Sequence, residues 1–276
     1  MGLSAYSEHM EAAITAANVA SEVLMARFNA GLQNLQSWEK SPGALVTEAD
    51  LESDQAIASA LRDSGCGGEI LSEESTVDLG DAGVDVERKI EWLIDPLCGT
   101  VPFSTGMNHW GVNIAMRSEG ELVLSALAVP SSGTLLTAEK GVGVKLNGES
   151  LQITDQDRDL GDAVVGLEVD GQEVWRSLLG SGGLDWVTHV RQANSFSSAA
   201  YPMLLVATSR MAAVVFYRIE PMHVAAGSLA AMMLGARVTD GVGQPIDWAC
   251  NDEIPILVAG WPRAHDTLIE VMNESG

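Results

Sequence analysis

The chain has 276 residues, of which 46% are apolar, 15 are Lys or Arg and 38 are Asp or Glu, giving a net charge of −23. That size supports one large domain or two closely packed ones, and that apolar content excludes a disordered chain. The negative balance argues against nucleic acid and an anionic membrane surface as partners, so any bound anion must be held by backbone N–H groups, a metal or a few local Arg residues.

No apolar run reaches the roughly 18 residues of a membrane span. The opening M-G-L-S-A-Y-S-E-H-M-E lacks the basic and apolar parts of a signal peptide. Cys66, Cys98 and Cys250 are odd in number and show no C-x-x-C spacing. Both features predict a cytoplasmic protein.

In chain order, Ile14, Val19, Val23, Leu24 and Phe28 among many alanines predict a helix over 4–29. Residues 38–43 read as a polar loop. A second helix is expected over 47–61, with Thr47 as its cap and Asp50 as an imperfect capping partner. E-I-L-S-E-E-S reads as a short strand ending at Glu73-Glu74, and 78–87 as a solvated acidic loop. Trp92, Leu93 and Ile94 read as the end of a buried strand; Asp95 stands at its tip, and Pro96 is expected to stop it. Gly99-Thr100 then offers a turn whose N–H groups open a short helix, a seat for an anion.

Strands over 110–116, 122–129 and 134–138, followed by a Gly-punctuated segment with an Asn147-Gly148 turn, predict an antiparallel meander. The polar stretch 155–162 divides the chain into an N-terminal half, 1–154, carrying the metal and anion motifs, and a C-terminal half, 155–276. The second half reads as strands over 163–169, 186–191, 212–217 and 256–259. Its helices are expected over 174–179, 197–208, 222–234 and 263–272. Mixed, antiparallel in front and alternating behind, the elements predict an α/β (α+β) protein stacked as α-β-α-β-α.

Carboxylates at the ends of separate elements, Asp50, Glu73 and Asp95, are how hard cations are gathered. With those residues in view, the chain resembles the inositol monophosphatase-like, magnesium-dependent phosphatases, a superfamily that includes fructose bisphosphatases and the phosphatases of 3′-phosphoadenosine nucleotides. L-V-T-E-A-D is similar to the family's V-T-x-x-D, L-S-E-E-S to G-E-E-S, W-L-I-D-P-L-C-G-T-V-P-F to W-I-I-D-P-I-D-G-T-x-x-F, and M-H-V-A-A-G to W-D-x-A-A-G. Ser197-Ser198-Ala199 falls near its G-S-A segment.

The resemblance implies the five-layer sandwich. It implies one metal held by Glu73, Asp95 and the Leu97 carbonyl, an attacking water or a third ion oriented by Asp50, and a phosphate held by Gly99 and Thr100. It also implies a substrate-selecting region near Ser197, Ser198, Arg191 and Arg218. The second metal of the family needs two aspartates that are here Cys98 and His223. A thiol and an imidazole are poor magnesium ligands.

Three expectations follow. A small phosphate or sulfate ester, a small anionic metabolite, loses its anion by elimination or intramolecular cyclisation, with Asp50, Glu73, Asp95 or His223 as base. Alternatively the chain is a phosphomonoesterase with Mg²⁺ at one site, or with Zn²⁺ on Asp95, Cys98 and His223. Alternatively it is a non-catalytic subunit of a related active chain. A Cys98–His223 nucleophile pair is a lesser idea. The cofactor is thus one Mg²⁺, Zn²⁺ or none, and the assembly a homodimer or a heterodimer with a related chain.

Overall fold

Small residues set the first layer. Helix α1 (Ser7–Ala30) buries Ala12, Ala13, Ala16, Ala17, Ala20 and Leu24, which lets the next helix approach closely. The structure, a computed structural model, describes residues 6–31, 33, 35–41, 44–80, 89–154 and 158–274. The segment read as a polar loop contains a hairpin instead, β1 (Ser37–Ser41) with β2 (Ala44–Thr47), paired Ser37 to Thr47. Helix α2 (Glu48–Asp63) follows directly, and Thr47 and Asp50 complete a reciprocal capping box at its start.

The chain then enters a large sheet through β3 (Glu69–Ser72), β4 (Thr76–Asp78) and β5 (Ile90–Cys98). Most of the acidic loop read over 78–87 lies outside the described residues. Strand β5 corrects the expectation for Pro96. It pairs with β6 (Gly111–Ser118) through Asp95↔Asn113 and again at Cys98↔Gly111, with the register shifting between. A bulge absorbs the missing proline N–H, so the strand passes through and Cys98 still belongs to it. Between β5 and β6 sits the short helix α3 (Thr100–Ser104), opened by Gly99 at φ 103°.

The meander continues as expected through β7 (Glu121–Val129), β8 (Thr134–Glu139), β9 (Gly143–Leu146) and β10 (Glu149–Ser150). Among the described residues these strands form one sheet in the order β10-β9-β8-β7-β6-β5-β3-β4. The linker reading at 155–162 falls partly on residues outside the description; 160–162 make a single tight turn.

A second sheet begins at β11 (Val164–Val169), followed by helix α4 (Gln172–Ser181). The strand expected over 186–191 is a 3₁₀ turn instead, and the strand there is β12 (Gln192–Asn194). The turn buries Trp186, whose indole N–H donates to the Tyr217 hydroxyl at 2.9 Å. Helix α5 (Ala200–Ala207) starts three residues later than read, because Ser197 is held at φ 53°. Then come β13 (Ala213–Ile219), α6 (Pro221–Met233), β14 (Arg237–Asp240), β15 (Ile254–Gly260) and α7 (Pro262–Glu274). The order of the second sheet is β12-β11-β13-β15-β14.

Three apolar clusters fill the gaps between layers. One joins α1 and α2 to the large sheet through Trp92, Ile94 and Trp110. The second packs α5 and α6 between the sheets, with Leu127 of the large sheet on one side and Phe216 and Leu257 of the small sheet on the other. The third covers the outer face of the small sheet with α7, through Val215, Val258 and Leu268. Three cores between five layers give the α-β-α-β-α sandwich. Gly227 shows how close α6 lies: a Cβ there would collide with Met203 of α5.

Candidate active site

Helix α2 is the ruler that sets the site. Asp50, Ser53 and Asp54 fall on one face and are all buried. Asp50 Oδ1 accepts the Thr100 hydroxyl at 2.8 Å, while its Oδ2 accepts the Thr47 N–H at 2.9 Å and the Thr47 hydroxyl at 2.6 Å. Ser53 Oγ donates to the Pro96 carbonyl at 2.7 Å, which fixes the bulge. Asp54 accepts Ser72 Oγ at 2.5 Å and Ser75 Oγ at 2.7 Å, which fixes the turn bearing Glu73. Thr47→Ala should remove the cap and one support of Asp50, costing about 1 kcal/mol in urea unfolding.

Glu73, Asp95 and His223 come together: one ligand atom from each lies within 4.8 Å of the others. Asp95 is almost fully buried. Its Oδ2 lies 2.6 Å from His223 Nδ1 and its Oδ1 accepts the Leu97 N–H at 3.2 Å. His223 stands in the first turn of α6. Lys40 of the β1–β2 hairpin reaches the same place, with Nζ 3.5 Å from Glu73 Oε1 and an ion pair to Glu74.

Charge follows from this crowding. Burial opposes a charged His223, but Asp95, Glu73 and Glu220 around it outweigh burial and raise its pKa to about 9. Burial and the Asp95 charge push Glu73 up to about 7. Burial pushes Asp50 up to about 6 against its hydrogen bonds from Thr47 and Thr100. At neutral pH His223 is therefore the proton donor of the cluster, and Glu73 the group closest to its midpoint.

Cys98 touches that cluster through a side-chain hydrogen bond with Asp95. Its sulfur accepts the Ala199 and Ala200 N–H groups at 3.1 Å each, and burial with the Asp95 charge pushes its pKa well up. Among the described residues the ligand atoms that gather within 4.8 Å are those of Glu73, Asp95 and His223, without the Cys98 sulfur that the thiol–imidazole pair and the Zn²⁺ set of Asp95, Cys98 and His223 would use. The donors present fit one cation on Glu73 and Asp95. They do not fit a magnesium pair, because sulfur and a hydrogen-bonded ring nitrogen replace the oxygens a second ion requires.

The remaining expected residues are scattered. Ser198 is buried and its hydroxyl donates to the Cys98 carbonyl at 3.0 Å. Ser197 is exposed, with its N–H donating to Glu168 at 2.9 Å. Arg191 is exposed and lies 3.9 Å from Asp162, and Arg218 is exposed and pairs with Glu253 at 2.8 Å. Both arginines are thus engaged in exposed ion pairs. Leu97 is buried, and its carbonyl accepts the Thr100 hydroxyl at 3.3 Å.

Four residues near the site had no motif to announce them: Lys40, Glu168, Asp170 and Glu220. Glu168 lies near the end of β11, and Asp170 just beyond it. Desolvation and the Asp95 charge raise Asp170, and His223 lowers it, which places it within electrostatic reach of the cluster. The alternation along β11 was the available signal.

Comparison with known proteins bears on the family and the fold. A model described as the inositol monophosphatase family matches residues 5–276. The Nus factor SuhB of Vibrio cholerae is 27% identical over 249 residues, covering 88% of either chain. A fructose-1,6-bisphosphatase/inositol-1-monophosphatase of Thermotoga maritima is 25% identical over 233 residues, covering 83% of each. The crystal structure of the extragenic suppressor protein suhB from Bartonella henselae superposes with a TM-score of 0.84 at 26% identity, over 97% of this chain and 99% of that one. Among the described residues no helix is long and apolar enough to cross a membrane.

Proposed function

The chain belongs to the inositol monophosphatase family, and from that premise we propose that it cleaves a small phosphate or sulfate ester whose anion departs by elimination or by intramolecular cyclisation. The observation that carries this reading is the 2.6 Å contact between His223 Nδ1 and Asp95 Oδ2. It stands where the family gathers oxygens around a second ion that stabilises the leaving oxygen. An imidazolium donates a proton to that oxygen instead.

The chemistry divides among named groups. In the ion-free site Glu73, with its pKa near 7, removes a proton from the carbon next to the ester carbon, the C–H electron pair becoming a C=C bond, or from an internal hydroxyl, whose oxygen bonds to the ester carbon. The C–O bond breaks and its electron pair leaves with the anion. The Gly99 and Thr100 N–H groups face the departing charge, as preorganised donors. His223 neutralises part of it. A divalent ion on Glu73 and Asp95 supplies further polarisation of the ester when bound. Sulfate needs less neutralisation than a phosphate dianion, so a site with fewer cations favours it.

A second reading, hydrolysis, has its own support. The chain of hydrogen bonds Thr100–Asp50–Thr47 is intact, and that is the group the family resemblance assigns to orienting water. Reaction in ¹⁸O-labelled water separates the two. Elimination or cyclisation should leave the released anion and the organic product free of label. Label in the released phosphate or sulfate would establish hydrolysis instead.

A further inference from the structure

The segment from Phe196 to Ala200 bridges the two sheets, and it is gripped from both sides. On the small-sheet side, Glu168 of β11 is nearly buried and accepts the Phe196 N–H at 2.8 Å through Oε1 and the Ser197 N–H at 2.9 Å through Oε2. On the large-sheet side, the last residue of β5 accepts three donors. The Cys98 sulfur takes the Ala199 and Ala200 N–H groups at 3.1 Å, and the Cys98 carbonyl takes the Ser198 hydroxyl at 3.0 Å.

Between these anchors Ser197 is held in the left-handed region at φ 53°, a conformation that a serine adopts only when its surroundings impose it. The next residue after Cys98 is Gly99. A Cβ on Gly99 would lie 3.0 Å from Ser198 Cβ and 3.0 Å from the His109 carbonyl, so the bridging segment lies directly against the Gly99–Thr100 turn.

We infer that Cys98 and Glu168 are positioning residues: together they lock the 196–200 segment across the seam and thereby fix the Gly99–Thr100 turn for anion binding. Cys98 then has an assigned task, the acceptor for the first free N–H groups of α5, in place of a metal ligand or a nucleophile. The sulfur is suited to it because it accepts weakly without bringing a charge beside the buried Asp95. The inference rests on the functional reading above only in taking that turn as the seat of the anion.

The test uses the full chain and inorganic phosphate as probe, followed by ³¹P and ¹H–¹⁵N NMR with amide exchange. The Cys98→Ser variant keeps an acceptor at the same atom position and should bind phosphate within about twofold of the parent. The Cys98→Ala and Glu168→Ala variants should weaken phosphate by about tenfold or more, the loss typical when a supporting group is removed. The exchange of the Ala199 and Ala200 amides should quicken in Cys98→Ala and not in Cys98→Ser. Equal phosphate affinity in Cys98→Ala and the parent would overturn the inference, and so would unchanged exchange at both amides. If the parent itself fails to bind phosphate, the anion reading falls, while the exchange data still decide whether the clamp exists.

Discussion

Replacing His223 by alanine should lower kcat on an alkyl phosphate or alkyl sulfate that carries a neighbouring hydroxyl by about 10²- to 10⁴-fold, the range for loss of a positioned acid or base. The same change should erase an alkaline limb of the pH–rate profile. That limb belongs at about 9, where Asp95 and its neighbours hold the imidazole proton. The direction of the stability effect is fixed as well. His223 is raised in the folded state from 6.5 to about 9, so its contribution is full below pH 6.5 and disappears as pH climbs through 9. Chemical denaturation at pH 6 and pH 10 should show the parent losing stability and the His223→Ala variant losing less. The variant also removes the one cationic partner hydrogen-bonded to the buried Asp95, which keeps the Leu97 N–H and the Cys98 side chain. His223→Gln, which offers a donor without a charge, separates that cost from the loss of acid catalysis. Retention of kcat and of the alkaline limb in either variant would remove His223 from the reaction.

The largest expected effect on stability lies away from the site. Arg117 on β6 is 1% exposed and faces Glu91 directly across on β5. Its Nε lies 2.8 Å from Oε2 and its Nη2 3.0 Å from Oε1, a two-pronged pair, and Nη1 donates to the Trp248 carbonyl at 2.6 Å. The last bond ties the connection between β14 and β15 to the large sheet. Burial would raise the Glu91 carboxyl, but hydrogen bonds and charge from Arg117 and Lys89 outweigh it and hold it low. Arg117→Leu should therefore destabilise by about 3–5 kcal/mol, the cost of leaving one partner of a buried pair. Adding Glu91→Leu should recover part of that loss, since two apolar side chains leave no orphan charge. Urea midpoints of the two single variants and the double variant test this. A double variant no more stable than Arg117→Leu would show that the arginine acts through its bond to Trp248 alone.

Much of the site was legible because motifs report which atoms a reaction needs. Asp50, Glu73, Asp95 and Thr100 stand in stretches whose local order is imposed largely by short-range bonds: a capping box, a turn, a bulged strand, the start of a short helix. What escaped reading was set by longer-range contacts. Pro96 reads as a strand breaker, yet Ser53, forty-three positions earlier, holds its carbonyl in a bulge. Residues 186–191 have strand composition, but burial of Trp186 against Tyr217 wins over local preference. Cys98 reads as a lost metal ligand. Only the approach of Ala199 and Ala200, a hundred residues away, shows what the sulfur touches. Lys40 was hidden in a hairpin whose polar residues look like loop. The family resemblance supplied the five-layer order, which periodicity could suggest but not assemble.

Helix α6 lies in the middle layer and touches both sheets, with Ala225, Ala226, Leu229 and Ala230 all buried. It is the keel of the molecule, and its first turn projects His223 to the cluster. Substitution at the prow leaves the keel untouched, so a lineage can exchange the reacting group there without refitting the hull. The converse also holds: this helix has no room to swing aside, and its amides should surrender their protons to solvent only when the entire vessel comes apart.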